Sequence, residues 1–290
     1  MNYTKLLFAS FGFAACFNIT SKVLIITHAY NRPEFIPLQD STFKKFLKDD
    51  YEFVVFNDAR DPKVKKEIYE ICKKLNLRCI RIHQEIHDRP YLYRWPGEDY
   101  NSACCRCANV VQYSLNEIGF QHNDLVAIVD SDLFLIKEFS IREYMKNCQL
   151  AGIEQKRHHV DYLWNGIVFF DMPNLPSKKE IDFNCGKVDG IPVDVGGQIY
   201  HYLKKHPNLS VKYINQWHTD DFTENHDTLI KNGLNEKTLS FYDIKIPNAV
   251  FILDSTFLHY QSGTNWNRNS PEYHRTKFKK LEAFINHIIS

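Results

Sequence analysis

Leu125-Val126-Ala127-Ile128-Val129-Asp130-Ser131-Asp132-Leu133-Phe134-Leu135-Ile136 is the stretch that sets the architecture. Five apolar residues in a row, several of them β-branched, suit a strand buried on both faces. The run then breaks on two carboxylates one residue apart and resumes as an apolar segment. In an open parallel sheet, ligands sit beyond the carboxyl ends of the strands, so Asp130, Ser131 and Asp132 stand where a ligand would. Two adjacent carboxylates at such a mouth suit a hard divalent cation that keeps coordination sites for phosphate oxygens.

Working outward, Val23-Leu-Ile-Ile, Glu52-Phe-Val-Val-Phe and Arg78-Cys-Ile-Arg-Ile read as three more strands. Helical segments are expected over 38–47, over 64–75 (Val64, Ile68, Ile71 and Leu75 at helical spacing) and over 104–118. Strands alternating with helices predict an α/β fold with a mainly parallel central sheet flanked by helices. Residues 22–290 contain no repeat, acidic tail or Pro/Ser-rich linker, and one domain over 22–290 is expected. The polar strand ends then become candidates together: Thr27, Tyr30 and Arg32 after the first strand, Asp58 after the second, and Asp130 to Asp132 after the fourth. Residues 83–100, rich in His, Pro, Tyr and Trp, read as a long loop. The apolar run from Phe251 to Leu258 reads as a strand leading into His259.

The chain has 290 residues with 36 Lys and Arg against 35 Asp and Glu, a formal net charge of +1. So balanced a chain carries no field for a polyanion, and a nucleic-acid partner is not expected. Hydrophobic residues at 44% supply a core, and 11 Gly with 11 Pro exclude collagen-like and low-complexity classes. Eight cysteines are too few for a disulfide-built scaffold. Cys104, Cys105 and Cys107 crowd one segment without the paired spacing of a zinc site, so reduced or partly paired core thiols are the expectation.

Residues 1–21 read differently. Lys5 precedes a twelve-residue apolar run ending at Phe17, the length of a signal-peptide core and too short to span a bilayer. A cleaved or membrane-touching segment is one expectation, and a buried first element is the other. Asn2, Asn18 and Asn208 head N-glycosylation patterns. These features favour a secretory-pathway lumen or membrane association, with the cytoplasm as the alternative.

The order of these features resembles the GT-A glycosyltransferases that use nucleotide sugars, loosely the glycogenin and lipopolysaccharide galactosyltransferase group, over most of 22–290. Thr27-His-Ala-Tyr30-Asn-Arg32-Pro resembles the first nucleotide loop, and Asp58 the acidic residue that contacts base or ribose. Arg106 and Asn109 match positions facing the sugar nucleotide, and Asp130 and Asp132 match the D-x-D pair. Leu163-Trp-Asn165-Gly166 resembles the segment lining the sugar site, and Asp194-Val-Gly-Gly-Gln198 the Asp and Gln near the reacting sugar. His259-Tyr-Gln-Ser-Gly263-Thr-Asn-Trp266 is similar to the carboxy-terminal motif whose His is the third metal ligand. Here the Gly falls one residue late and the Lys-Pro pair is absent, which leaves Arg268 as a substitute cation.

The resemblance implies Mn²⁺ (or Mg²⁺) on Asp130, Asp132 and His259, with the imidazole favouring Mn²⁺. It implies a UDP- or GDP-sugar donor and a carbohydrate, lipid or protein acceptor. Asp194 is the candidate base or sugar-orienting group, beside Gln198. Plainer roles stand beside these. Asp194 could cap a helix over 196–204, Asn165-Gly166 could be a turn, Gly196-Gly197 a tight turn, and Asp58 could pair with Arg60 or cap the following helix. The alternative functions are a nucleotidyltransferase, against which Thr27 to Pro33 lacks Gly and Lys, and a catalytically inactive carbohydrate-binding homologue.

Overall fold

The structure is a computed structural model that describes residues 21–88, 102–218, 227, 230, 231, 250–253, 256–261, 263 and 270–290. The signal-like segment, Tyr91 to Trp95, Trp266 and Arg268 lie outside the described residues.

The strands expected from sequence form where the β-branched runs are: β1 (Val23–Ala29), β2 (Tyr51–Asn57), β3 (Arg78–Arg81) and β4 (Leu125–Val129). Every residue of β4 is buried, which accounts for its unbroken apolar run. The expected helices form as α1 (Phe35–Phe46), α2 (Pro62–Leu75) and α3 (Ala103–Glu117). Their ends follow local chemistry. Asp61 accepts from the backbone N–H groups of Lys63 and Val64 with Pro62 in the first turn, and Asn76 closes α2 in the left-handed conformation. Ser102 caps α3 by accepting from the Cys105 N–H.

Short β5 (Leu133–Leu135) and α4 (Ile141–Met145) precede a long hairpin of β6 (Leu150–Arg157) and β7 (Val160–Asp171). Then come β8 (Gly186–Val188), β9 (Ile191–Val193), α5 (Ile199–Lys205), β10 (Val211–Tyr213), β11 (Gln216–His218), β12 (Val250–Ile252), β13 (Phe257–His259) and α6 (Pro271–Ile289).

The central sheet has seven strands in the order β10-β6-β7-β4-β1-β2-β3. Four of its six pairings are parallel, and the two made by β7, to β4 and to β6, are antiparallel. The sheet is therefore mainly parallel, as expected, with an inserted antiparallel strand that the one-domain α/β reading did not contain. Apolar layers fill both of its faces, one under α1 and α2 and the other under α3 and α5.

A second sheet of four antiparallel strands, β11-β12-β13-β5, was not foreseen. It begins with β5, one residue beyond Asp132, and places His259 opposite Leu133. The run from Phe251 to Leu258 is corrected accordingly. It is two strands, β12 and β13, folded back through a turn in which Leu253 takes a positive φ of 58° and its carbonyl accepts from the Thr256 N–H. The expected helix over 196–204 is also corrected. α5 starts at Ile199, and Asp194 accepts from the Val195 N–H instead of capping it.

Candidate active site

Three groups of predicted residues gather along the carboxyl edge of the central sheet. The first lies at the end of β4. Asp130 Oδ1 accepts from the Ser131 N–H at 3.0 Å, and Asp132 Oδ2 accepts from the Gly263 N–H at 3.0 Å. The β5–β13 pairing brings His259 Nε2 to 3.3 Å from Asp132 Oδ1, and the Tyr260 N–H donates to the Asp132 carbonyl. Asp132 Oδ1 is fully buried and makes no hydrogen bond. Burial and then the adjacent Asp132 charge push the Asp130 carboxyl up to about 7, against the opposing pull of His259.

Glycines make this geometry possible at two points. A Cβ on Gly263 would lie 2.9 Å from the Asp132 carboxylate, so the strap that carries the N–H donor must be bare there. A Cβ on Gly166 would lie 2.0 Å from the Trp164 ring, which packs 5.1 Å from the His259 ring. Gly166 is therefore part of a strand, and the turn reading for Asn165-Gly166 is corrected.

Two cations sit behind these carboxylates. Arg32 is 3% exposed, donates from Nη1 to the Gly263 carbonyl at 2.7 Å, and stacks over Phe35. Lys277, from α6, is 2% exposed, donates to the Gln261 carbonyl at 3.1 Å and lies 4.0 Å from the centre of the Tyr260 ring. Burial lowers the Lys277 ammonium to about 8, with Asp132 opposing and Arg32 adding to the shift. No sequence motif marks Lys277. The available signal is its place on the apolar stripe His274, Lys277, Leu281, Phe284 of α6, where a lysine is out of pattern.

The second group surrounds Asp58. Its Oδ1 accepts from Arg106 Nη2 at 2.6 Å and pairs with His87 Nε2 at 2.7 Å, and Arg106 also donates to the Asp58 carbonyl at 3.1 Å. The Arg106 guanidinium lies 5.4 Å from the centre of the Tyr30 ring. Asp58 and Arg106 thus meet each other in the interior, and His87 is a partner the sequence did not announce. Thr27 is fully buried at the end of β1, and its hydroxyl has no partner there.

The third group surrounds Asp194, which is exposed. The Cys104 thiol donates to its Oδ1 at 3.3 Å. Next to it opens a cavity of about 320 Å³, lined by Cys104, Arg157, His158, Asp194 and β9. Asn165 Nδ2 donates to Cys107 Sγ at 3.3 Å. Burial, then the charges of Asp130 and Asp194, raise the Cys107 thiol well above its usual range, so both carboxylates bear on one buried atom. Gln198 is not turned to Asp194. It is 2% exposed and donates to the Lys187 carbonyl, bracing the turn against β8. Gly196 holds that turn at φ 91°, where a Cβ would lie 2.1 Å from the Leu163 carbonyl oxygen.

The donor chemistry at Asp130, Asp132 and His259 fits Mn²⁺ or Mg²⁺: two carboxylates, an imidazole and an orphaned buried oxygen. The three are not gathered into a closed cage. Among the described residues no group of three or more His, Cys, Asp and Glu is arranged to hold a metal ion.

The chain matches no protein-family profile and no curated protein. Among solved structures it is similar to the mannosyltransferase PcManGT from Pyrobaculum calidifontis in complex with GDP-Man and Mn²⁺, at 12% identity and a TM-score of 0.40, over 67% of this chain and 54% of that one. It is similar to the galactosyltransferase LgtC in complex with donor and acceptor sugar analogues, at 9% identity and a TM-score of 0.36, over 67% and 73% of the chains. A third is the bifunctional glycosyltransferase WbbM, at 12% identity and a TM-score of 0.35. That match spans 53% of this chain and about a third (32%) of WbbM. These are partial likenesses at low identity, and the functional reading rests on the site itself.

Proposed function

We propose that the protein is a GT-A-type, metal-dependent glycosyltransferase. It moves a sugar from a nucleoside-diphosphate sugar, with UDP favoured, to a hydroxyl of a glycan, lipid or protein. The carrying observation is the orphaned Asp132 Oδ1, facing His259 and neighbouring Asp130 at the carboxyl edge of the sheet. Two carboxylates brought together, with one oxygen left unbonded, are costly to keep charged unless a cation joins them, and the raised Asp130 carboxyl is the sign of that cost. Asp130, Asp132 and His259 would hold that cation, whose chemistry is Lewis-acid stabilisation of the departing diphosphate.

The chain's own residues supply the rest. Lys277, and Arg32 in its ion pair with Glu34, place positive charge near Asp132, where negative charge grows as the diphosphate leaves. Asp58 and Arg106, locked together, shape the nucleotide side below Tyr30. Asp194 stands exposed at the 320 Å³ cavity, where an acceptor hydroxyl can reach it. If configuration inverts, Asp194 takes the acceptor proton. If it is retained, a donor phosphate oxygen takes the proton and Asp194 orients the sugar. Ser131 donates its N–H to Asp130, and Asn165 donates to Cys107, the thiol on which Asp130 and Asp194 both bear.

The residue 1–21 segment supports a luminal or membrane-associated enzyme, with the cytoplasm as the alternative. No helix among the described residues is long and apolar enough to cross a membrane.

The test is a panel of UDP- and GDP-sugars with and without Mn²⁺, read as nucleoside diphosphate released. Metal-dependent release from one donor, lost in Asp132→Asn, is the expected result. Consumption of a nucleoside triphosphate in place of a sugar nucleotide would identify a nucleotidyltransferase. Sugar binding without any release would identify an inactive homologue.

A further inference from the structure

Four of the cysteines gather where α3 begins. Cys105 and Cys185 are 80 positions apart in sequence, are each 1% exposed, and hold their sulfurs 3.9 Å apart as thiols. Their neighbours serve the site. Cys104 donates to Asp194, and Arg106 on the same turn of α3 holds Asp58. On the other side, the residues flanking Cys185 are tied to the Asp194 turn. The Gly196 N–H donates to the Phe183 carbonyl at 2.8 Å and the Gln198 N–H to the Asn184 carbonyl at 3.2 Å.

We propose that Cys105 and Cys185 are a redox-modification site, closing to a disulfide that staples the first turn of α3 to the segment carrying Asp194. The substrate class of this site is a small peroxide such as hydrogen peroxide, because a pair each 1% exposed leaves no room for a tripeptide disulfide. One thiolate attacks a peroxide oxygen, the O–O bond breaks and hydroxide leaves as water, giving a sulfenic acid. The second thiol attacks that sulfur and releases the sulfenic oxygen as a second water. Two protein thiols are oxidised to a disulfide and one peroxide is reduced to two waters. The sulfurs start 3.9 Å apart and end at the ~2.05 Å of a bond.

Cys104 is the competing partner, and the geometry assigns it another task. Its half-buried thiol donates to Asp194 Oδ1 at 3.3 Å, which turns it toward the candidate base. The bond would therefore form beside the candidate base without consuming the thiol that touches it.

The experiment uses the full chain, treated with hydrogen peroxide or with excess reductant, unfolded in acid, alkylated and mapped by mass without reduction. The oxidised chain is expected to be about 2 Da lighter, for two hydrogens lost, and to yield one cross-linked peptide pair joining Cys105 to Cys185. Cys104→Ala should keep that cross-link and Cys105→Ala should lose it. Should a variant fail to fold, the wild-type map decides alone. A Cys185 that remains alkylatable after oxidation, or that is bonded to Cys104 or any other cysteine, overturns the proposal. The readout is a mass, so it stands whether or not sugar transfer is found.

Discussion

Asp58 and Asp132 are both buried aspartates at strand ends, yet one is closed and the other is open. Asp58 is met at 2.6 Å by Arg106 and at 2.7 Å by His87, so its charge is answered from within the chain. Asp132 has a backbone donor on one oxygen, while the other makes no hydrogen bond and faces His259 at 3.3 Å, and the Asp130 carboxyl beside it is raised to about 7. The contrast separates a carboxylate that holds the fold from one that is left for a partner. Both strand ends looked alike in sequence, so burial of an aspartate is not by itself a sign of catalysis. The oxygen left without a hydrogen bond is the informative feature.

The largest effect expected from breaking this contrast is on the closed side. Asp58→Ala leaves the Arg106 guanidinium buried without its carboxylate and should cost about 3–5 kcal/mol of unfolding free energy in urea titrations. A loss within error would mean that Arg106 finds water, and the closed description fails. On the open side, Asp132→Asn should lower kcat for donor turnover by about 10²–10³, the scale of losing one preorganised electrostatic group. Its stability should change little, because the like charge removed from beside Asp130 is offset by the countercharge removed from Lys277. Mn²⁺ should raise the thermal midpoint of the wild type and leave Asp132→Asn unmoved.

A finer test keeps every ligand and moves one. Gly263→Ala pushes a methyl against the Asp132 carboxylate, and Mn²⁺ affinity should drop about 10–100-fold, read by titration. An unchanged affinity would free the strap from any part in holding Asp132.

The smallest effect is one of pH. His28, bonded to Ser114 near Asp58, is lowered by burial from 6.5 to about 4, with Asp58 opposing. Between those values the unfolded chain binds the proton and the folded chain does not. Stability should therefore fall as pH drops from about 6.5 to about 4, and the His28→Gln variant should show a shallower slope over that window. Parallel slopes in the two proteins would remove His28 from the acid response.

Much of this molecule was legible in one dimension. The β-branched runs marked β1 to β4 and the apolar spacing marked α1 to α3, because strand burial and amphipathic spacing are local properties of sequence. The candidate list was legible for the same reason, as polar residues placed where strands end. Which of them answer each other was not. The antiparallel β7, the β5–β13 pairing that carries His259 to Asp132, the Asp58–Arg106–His87 cluster, the turning of Gln198 away from Asp194 and the burial of Lys277 behind the carboxylates all join residues far apart in the chain. Sequence determined the strands, the helices and the edge along which chemistry would gather. Tertiary structure decided which charges are neutralised there, because neutralisation depends on distances that no local pattern encodes.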